Sequence, residues 1–245
     1  MSRYAPSNVG QSFGPGPWTP VVRAIILTNI AVFFLEQFAP GLIAPFGLSP
    51  EDVIQHGKVW QLGTYLFLHQ GVNHILFNML IVWMFGVDLE RRWGGRGFAT
   101  YYFVTGIGAG VSMVLVSLLP FDATRAVYTA TTIGASGACY GLLMAWALIF
   151  PTRPILIAFL VPVQARYFVM ILGAIAFLSA MSSGGGPVAH LAHLGGLVVG
   201  YLYLQGPRGL SGQFRYRMMK WKMERAKRQF NVHQGGRKDW SDRVH

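Results

Sequence analysis

The sequence predicts an all-α membrane protein, a six-transmembrane-helix bundle with a short fourth helix that starts inside the membrane. Three observations predict it. Of the 245 residues, 53% are hydrophobic and 12% charged, against roughly 25% charged in soluble domains, and mean hydropathy is +0.41. The apolar residues gather into runs close to the ~20 residues that a spanning helix needs. The basic residues gather between and after those runs, where a multi-pass topology places them.

The arm over 1–20 is polar and rich in Gly and Pro. It has no apolar core followed by a small-residue cleavage site, so it reads as a disordered arm rather than a signal peptide. A domain over 21–205 then carries the spans. The first, 21–38, ends at Ala39-Pro40-Gly41. A loop with Glu51, Asp52 and Lys58 and a semi-apolar stretch from Trp60 to His69 lead to the second, 71–90. That span stops at Arg91-Arg92-Trp93-Gly94-Gly95-Arg96, and the third covers 97–119. A polar link over 120–133 precedes the fourth, 136–150, closed by Pro151-Thr152-Arg153-Pro154. At about 15 residues it is too short to cross the core alone, so it is expected to start inside the membrane. The fifth lies within 155–181, with Pro162, Gln164 and Arg166 placing its first third at the interface. The sixth is 188–205.

Six spans put both termini on one side. With that side cytoplasmic, 18 of the 20 Lys and Arg fall inside, and Lys58 and Arg125 alone fall outside. Eleven of them lie in a tail over 206–245, against three acidic residues. The net charge of +11 is therefore topological, and no nucleic-acid partner is expected. In the tail, Phe214, Met218 and Trp221 fall at i, i+4, i+7 among basic residues. Two readings stay open: a helix lying on an anionic leaflet, or a solvated tail that only fixes topology. A lone Cys139 excludes a disulfide framework and any zinc site built on Cys.

Strongly polar groups inside spans are costly and usually functional. Here they are His74, Asn78, Ser136 and His193, with His69 and His190 reading as outer-rim residues. Counted from the inner end of each helix at ~1.5 Å per residue, all four fall roughly 18–25 Å above the inner surface. That is roughly 5–12 Å below the outer edge of a ~30 Å core. A shared depth on three helices marks a site.

The local chemistry is that of nucleophilic hydrolysis. Gly134-Ala135-Ser136-Gly137 puts a serine at a helix start, where unpaired N–H groups suit a developing anion. His74 and Asn78, at i and i+4, share one helix face and can complete an oxyanion hole with the Ser136 backbone N–H. His193 can take the serine proton. No carboxylate lies deep in a span, which favours a Ser–His dyad over a triad. Tyr140, one turn after Ser136, can pack on the His193 ring. Gly137 and Gly141, and Gly196 and Gly200, form small-xxx-small pairs that let the fourth and sixth helices approach closely.

These segments together resemble the rhomboid intramembrane serine proteases. The matching elements are Gly134-Ala135-Ser136-Gly137 with Tyr140 and Gly141, and Ala192-His193-Leu194-Gly195-Gly196-Leu197-Val198-Val199-Gly200. The third is His69-Gln70-Gly71-Val72-Asn73-His74-Ile75-Leu76-Phe77-Asn78, with Gly86 and Glu90 at the end of the same helix. The resemblance covers 21–205. It implies Ser136 as nucleophile, His193 as general base, His74 and Asn78 as oxyanion donors and Tyr140 as support for His193. It also implies cleavage of transmembrane substrates near the outer membrane face, without cofactor or metal. The gate implied is the fifth helix and the loop after it, about 166–187, with Met181-Ser182-Ser183-Gly184-Gly185-Gly186-Pro187 as a cap. Against the family, the loop after the first span is short and lacks a Trp-Arg pair.

Two rival readings bear on the same residues. His190 and His193 at i and i+3, with His69 and His74, could ligate zinc in a hydrolase or metal transporter. That reading lacks a carboxylate base and leaves the glycine-flanked Ser136 incidental. A non-catalytic rhomboid-like protein that binds membrane clients is expected to have lost the serine or the histidine, and both are present.

Overall fold

The computed structural model describes residues 14–39, 41, 45–157, 161–181 and 187–206. Helix α1 (Pro20–Phe38) starts with proline in its first turn, where the missing N–H forfeits no helical bond. Val22, Ile25, Ile26, Asn29 and Glu36 form its buried stripe, at helical spacing. Leu27, Phe34, Leu35 and Phe38 are exposed.

A loop then carries α2 (Pro50–His56), α3 (Gln61–Thr64) and a 3₁₀ turn over Tyr65–Phe67. Gln61 organises it. Fully buried, its side chain accepts from the Ser49 N–H at 3.0 Å and donates to the Pro45 carbonyl and Asp52 Oδ2. Lys58 pairs with the same Asp52 carboxylate at 2.9 Å.

Helix α4 (Val72–Ser117) contains the second and third expected spans. Only Gly94, at φ 74° and ψ 164°, is non-helical within it. A Cβ on Gly86 would lie 3.0 Å from the Phe98 ring, whereas twelve residues of straight helix separate two positions by ~18 Å. The run therefore folds back on itself at Gly94, and the stop expected over 91–96 is a one-residue break. Glycine is needed there because that φ is strained for any side chain.

The fold-back carries Glu90 to the start of α1. Only 5% exposed, Glu90 accepts from Val21 N at 3.0 Å, Val22 N at 2.8 Å and Thr19 Oγ1 at 2.5 Å. A carboxylate from another helix thus satisfies the open N–H groups of α1 and meets its positive dipole end. The last residues of the arm lie against α4. Arg91 donates to the carbonyls of Pro15 and Pro17, Trp83 Nε1 donates to the Gly16 carbonyl, and Gly14 packs on the Trp83 ring. The rest of the arm, 1–13, lies outside the described residues.

Two further expectations change. The link over 120–133 contains α5 (Asp122–Thr129), and an antiparallel bridge pairs Leu48 with Thr132 just before α6 (Ser136–Ile149). The first third of the expected fifth span is a hairpin, β1 (Pro154–Ile157) paired antiparallel with β2 (Val161–Gln164), so the chain is not wholly α. Its β-branched residues favour strand. Helix α7 (Ala165–Met181) follows and buries only Ala165, Val169 and Ala176. Helix α8 (Pro187–Gln205) completes the bundle.

By length and composition, Pro20–Phe38 and Val72–Ser117 suit a membrane crossing, while Ser136–Ile149 and Ala165–Met181 are shorter apolar helices. The cap segment 182–186 and the tail beyond 206 lie outside the described residues.

Two outcomes are expected. Glu90→Ala strands three donors and lowers stability by about 2–3 kcal/mol, read as a fall in Tm in detergent, while Glu90→Gln, which keeps one acceptor, falls less. The Lys58 ammonium first, then Gln61 and His56, holds the Asp52 carboxyl below its usual range. A depressed carboxylate stabilises above its unfolded pKa and stops doing so as pH falls through its folded one. Amide protection over 49–61 should therefore hold from pH 7 to 5 and drop below about pH 4.

Candidate functional site

The N-terminus of α6 is shaped by the segment before it. The Gly134 N–H donates to the Tyr65 carbonyl at 2.8 Å. Its φ of +115° is a conformation that favours glycine. There is also no room for a side chain: a Cβ there would lie 2.6 Å from His74 Nε2 and 3.6 Å from Asn78 Nδ2. The first helical bond runs from Cys139 N to the Ala135 carbonyl. The N–H groups of Ser136, Gly137 and Ala138 thus precede the helical ladder, without acceptors in it.

His74 and Asn78 reach this point from one face of α4. The Gln70 N–H donates to His74 Nδ1 at 3.3 Å. That nitrogen is therefore the acceptor, and in the neutral ring the proton sits on Nε2, which faces Gly134. Asn78 is 4% exposed and its buried Nδ2 has no hydrogen-bond partner. Two side-chain donors and a helix start converge here, a donor set suited to an oxygen anion.

His193 comes from α8. Its ring stacks on Tyr140, with centroids 4.2 Å apart and planes within 5°, and its buried Nδ1 has no partner. The stack depends on the distance between α6 and α8. A Cβ on Gly196 would collide with the Gly137 carbonyl, and one on Gly200 would lie 3.3 Å from the Gly141 Cα. The two small-residue pairs thus face each other, backbone against backbone. The other side of Gly137 and Gly141 meets Ala109 and Thr105 of α4. Ser136 and His193 flank this contact and are not hydrogen-bonded to each other.

His69, an outer-rim residue by its place in the sequence, is buried at 2% exposure. Its Nε2 accepts from the Ala135 N–H at 3.5 Å, and its ring meets that of His74 edge-on at 5.0 Å. Glu36, 8% exposed near the end of α1, accepts from the His69 backbone N–H at 3.2 and 3.3 Å. Sequence reasoning named His69 but found neither its contact with Ala135 nor Glu36. The available signal was the position of His69, five residues before His74 at the end of an apolar stretch. His190 lies edge-on to His193 at 5.8 Å. Among the described residues, no three His, Cys, Asp or Glu side chains are grouped to hold a metal ion.

All of these residues except Glu36 fall within 56–206, the stretch that matches the family model described as Rhomboid domain. That is more than half of the chain. The chain belongs to the rhomboid family. It is similar to Rhomboid protease GluP of Bacillus subtilis (strain 168), 29% identical over 72% of this chain and 32% of the relative. It is similar to Rhomboid protein 1, mitochondrial, of Saccharomyces cerevisiae, 31% identical over 75% of this chain and 52% of the relative. It is similar also to Rhomboid protease AarA of Providencia stuartii, 27% identical over 73% of this chain and 69% of the relative. The first two relatives are thus matched over about a third and a half of their own lengths. As a rhomboid, the chain has a multi-pass helical membrane fold.

In this rhomboid the backbone contact of α6 with α8 has a direct test. Gly196→Ala drives a methyl group into the Gly137 carbonyl and should cost about 1–3 kcal/mol, read as a lower Tm in detergent. Gly63→Ala is the control. A Cβ there meets nothing within 4 Å, and its effect should stay within about 0.5 kcal/mol.

Proposed function

We propose that this rhomboid is an intramembrane serine endopeptidase that cleaves transmembrane-segment substrates with a Ser136–His193 dyad. The observation that carries the reading is the convergence at the start of α6. The His74 Nε2 and the unpartnered Asn78 Nδ2 lie at Gly134 in the glycine-flanked segment that bears Ser136, and the His193 ring stacks on Tyr140 one turn along the same helix.

The reaction follows from these groups. Ser136 Oγ attacks the scissile carbonyl carbon, its proton passes to His193, and the carbonyl π pair moves onto oxygen. The resulting oxyanion is met by His74 Nε2–H, Asn78 Nδ2–H and the Ser136 backbone N–H. As the tetrahedral intermediate collapses, the C–N bond breaks and His193 returns the proton to the leaving nitrogen. Water, deprotonated by His193, then hydrolyses the acyl-enzyme and restores Ser136. Among the described residues no carboxylate meets His193, and in this reading the Tyr140 stack takes over the positioning. The dyad's hydrogen bond is one that forms or tightens when substrate binds.

In the bilayer, the reading assigns six spans, the fold-back at Gly94 joining the second and third. The 14-residue α6 then spans only ~21 Å and starts within the membrane, below the outer face to which the site opens. The distribution of Lys and Arg puts both termini in the cytoplasm. The substrate reaches Ser136 from the side, past α7 and the cap that follows it. For the basic tail both readings stand, contact with an anionic cytoplasmic leaflet or a solvated tail that only fixes topology. The arm over 1–20, the catalytic domain over 21–205 and the tail over 206–245 are the units of this reading.

The test is covalent labelling of the detergent-solubilised protein with a fluorophosphonate or isocoumarin probe. Wild type should label, and Ser136→Ala and His193→Ala should not. His74→Ala and Asn78→Ala should each slow cleavage by about 10²–10³-fold, the effect of losing one oxyanion donor. A folded wild type that never labels beside a labelling rhomboid overturns the protease reading. If it still captures transmembrane clients, the client-binding reading takes its place.

A further inference from the structure

His69 is a buried imidazole that the reaction above does not use. Four contacts meet on it. Its Nε2 faces the Ala135 N–H at 3.5 Å, and its Nδ1 faces the Phe67 carbonyl at 3.4 Å. Its ring lies edge-on to His74, and its backbone N–H is held by the Glu36 carboxylate. These contacts fix its tautomer. An N–H can be accepted only by a bare ring nitrogen, so the proton sits on Nδ1 and points to the Phe67 carbonyl. The same reasoning puts the proton of His74 on Nε2. The adjacent imidazoles thus hold opposite tautomers, one accepting from the main chain before Ser136 and the other donating into the site.

The Ala135 amide lies one residue before the Ser136 N–H and one after Gly134, whose own N–H is held by the Tyr65 carbonyl at 2.8 Å. Two consecutive amides before the serine are therefore tied to the 65–69 segment. That segment is tied in turn to α1 through Glu36. We propose that His69 is a positioning residue: by accepting from the Ala135 amide and buttressing the His74 ring, it sets the angle at which the Ser136 N–H and His74 Nε2–H meet the oxyanion. The effect on rate rests on the protease reading, but the hold on Ala135 does not.

The experiment compares His69→Phe with His69→Gln in the full-length protein in detergent micelles. Phe fills the space without an acceptor. Gln places an amide oxygen near the original Nε2 and restores it. The first readout is hydrogen–deuterium exchange of the peptide covering 133–139, which needs no activity. Protection should match wild type in His69→Gln and fall at least tenfold in His69→Phe, with protection of 140–149 unchanged. The second readout is cleavage of a transmembrane substrate. kcat should fall about tenfold or more in His69→Phe with KM within about twofold, and His69→Gln should recover to within about threefold of wild type.

Wild-type protection over 133–139 in His69→Phe overturns the proposal. So does equal loss in both variants with a common fall in Tm, which makes His69 a packing residue. A wild type that neither labels nor cleaves defeats the protease reading instead, and the exchange result still decides whether His69 holds Ala135.

Discussion

Close contact between two helix backbones, Gly137 of α6 on Gly196 of α8 and Gly141 on Gly200, is the constraint on which the rest of the site depends. Lipid gives no hydrophobic incentive for helices to associate, so approach distance and the dispersion it allows decide how they pack. Without side chains at these positions, α6 sits within van der Waals reach of α8 on one side and of 95–117 in α4 on the other. Tyr101 closes the arrangement by donating its hydroxyl to the Gly141 carbonyl at 2.8 Å. The Tyr140–His193 stack lies next to this seam, and an added methyl anywhere along the seam would spread it.

Around that seam, buried polar side chains are used to finish backbone ends. Glu90 completes the start of α1, Glu36 holds the amide of His69, Gln61 closes the loop around α2, and Tyr65 donates to the Gly106 carbonyl at 2.7 Å. In a low-dielectric interior, each such bond fixes a loop end firmly, because leaving either partner unpaired is expensive. Asn78 Nδ2 and His193 Nδ1 are buried without a partner, as are Asn29 Oδ1, the Tyr102 hydroxyl and Thr132 Oγ1 elsewhere, and the proposed reaction gives the first two a use.

The packing is uneven. Helix α6 buries most of its residues, whereas α7 buries three and leaves Met170, Phe177, Leu178 and Met181 largely exposed. Its base is held by main-chain bonds: Ala165 N–H to the Arg153 carbonyl and Arg166 N–H to the Pro151 carbonyl. Arg153 also pairs with Asp88 at 2.8 Å and lies over the Phe150 ring. A helix fixed at one end and sparsely packed above it suits the lateral access route proposed for substrate.

Much of this was legible in the chain itself. Composition and the spacing of apolar runs gave the helices, since burial in lipid demands long apolar segments. The polar residues within them, His74, Asn78, Ser136 and His193, stood out because polar side chains are costly inside a span. The glycine pairs at i and i+4 gave the seam, since that spacing alone defines a helix face. The hairpin over 154–164 was not legible, because a short apolar run with β-branched residues fits strand and interfacial helix equally. Nor was the fold-back at a single glycine, Gly94. Long-range pairings were hidden for a different reason: Glu90 with α1, Glu36 with His69 and His69 with Ala135 join residues 33 to 71 positions apart. Local sequence determined which residues could do chemistry. Only the tertiary structure decided which main-chain groups hold them in place, because a hydrogen bond depends on where its partner ends up in space and not on its distance along the chain.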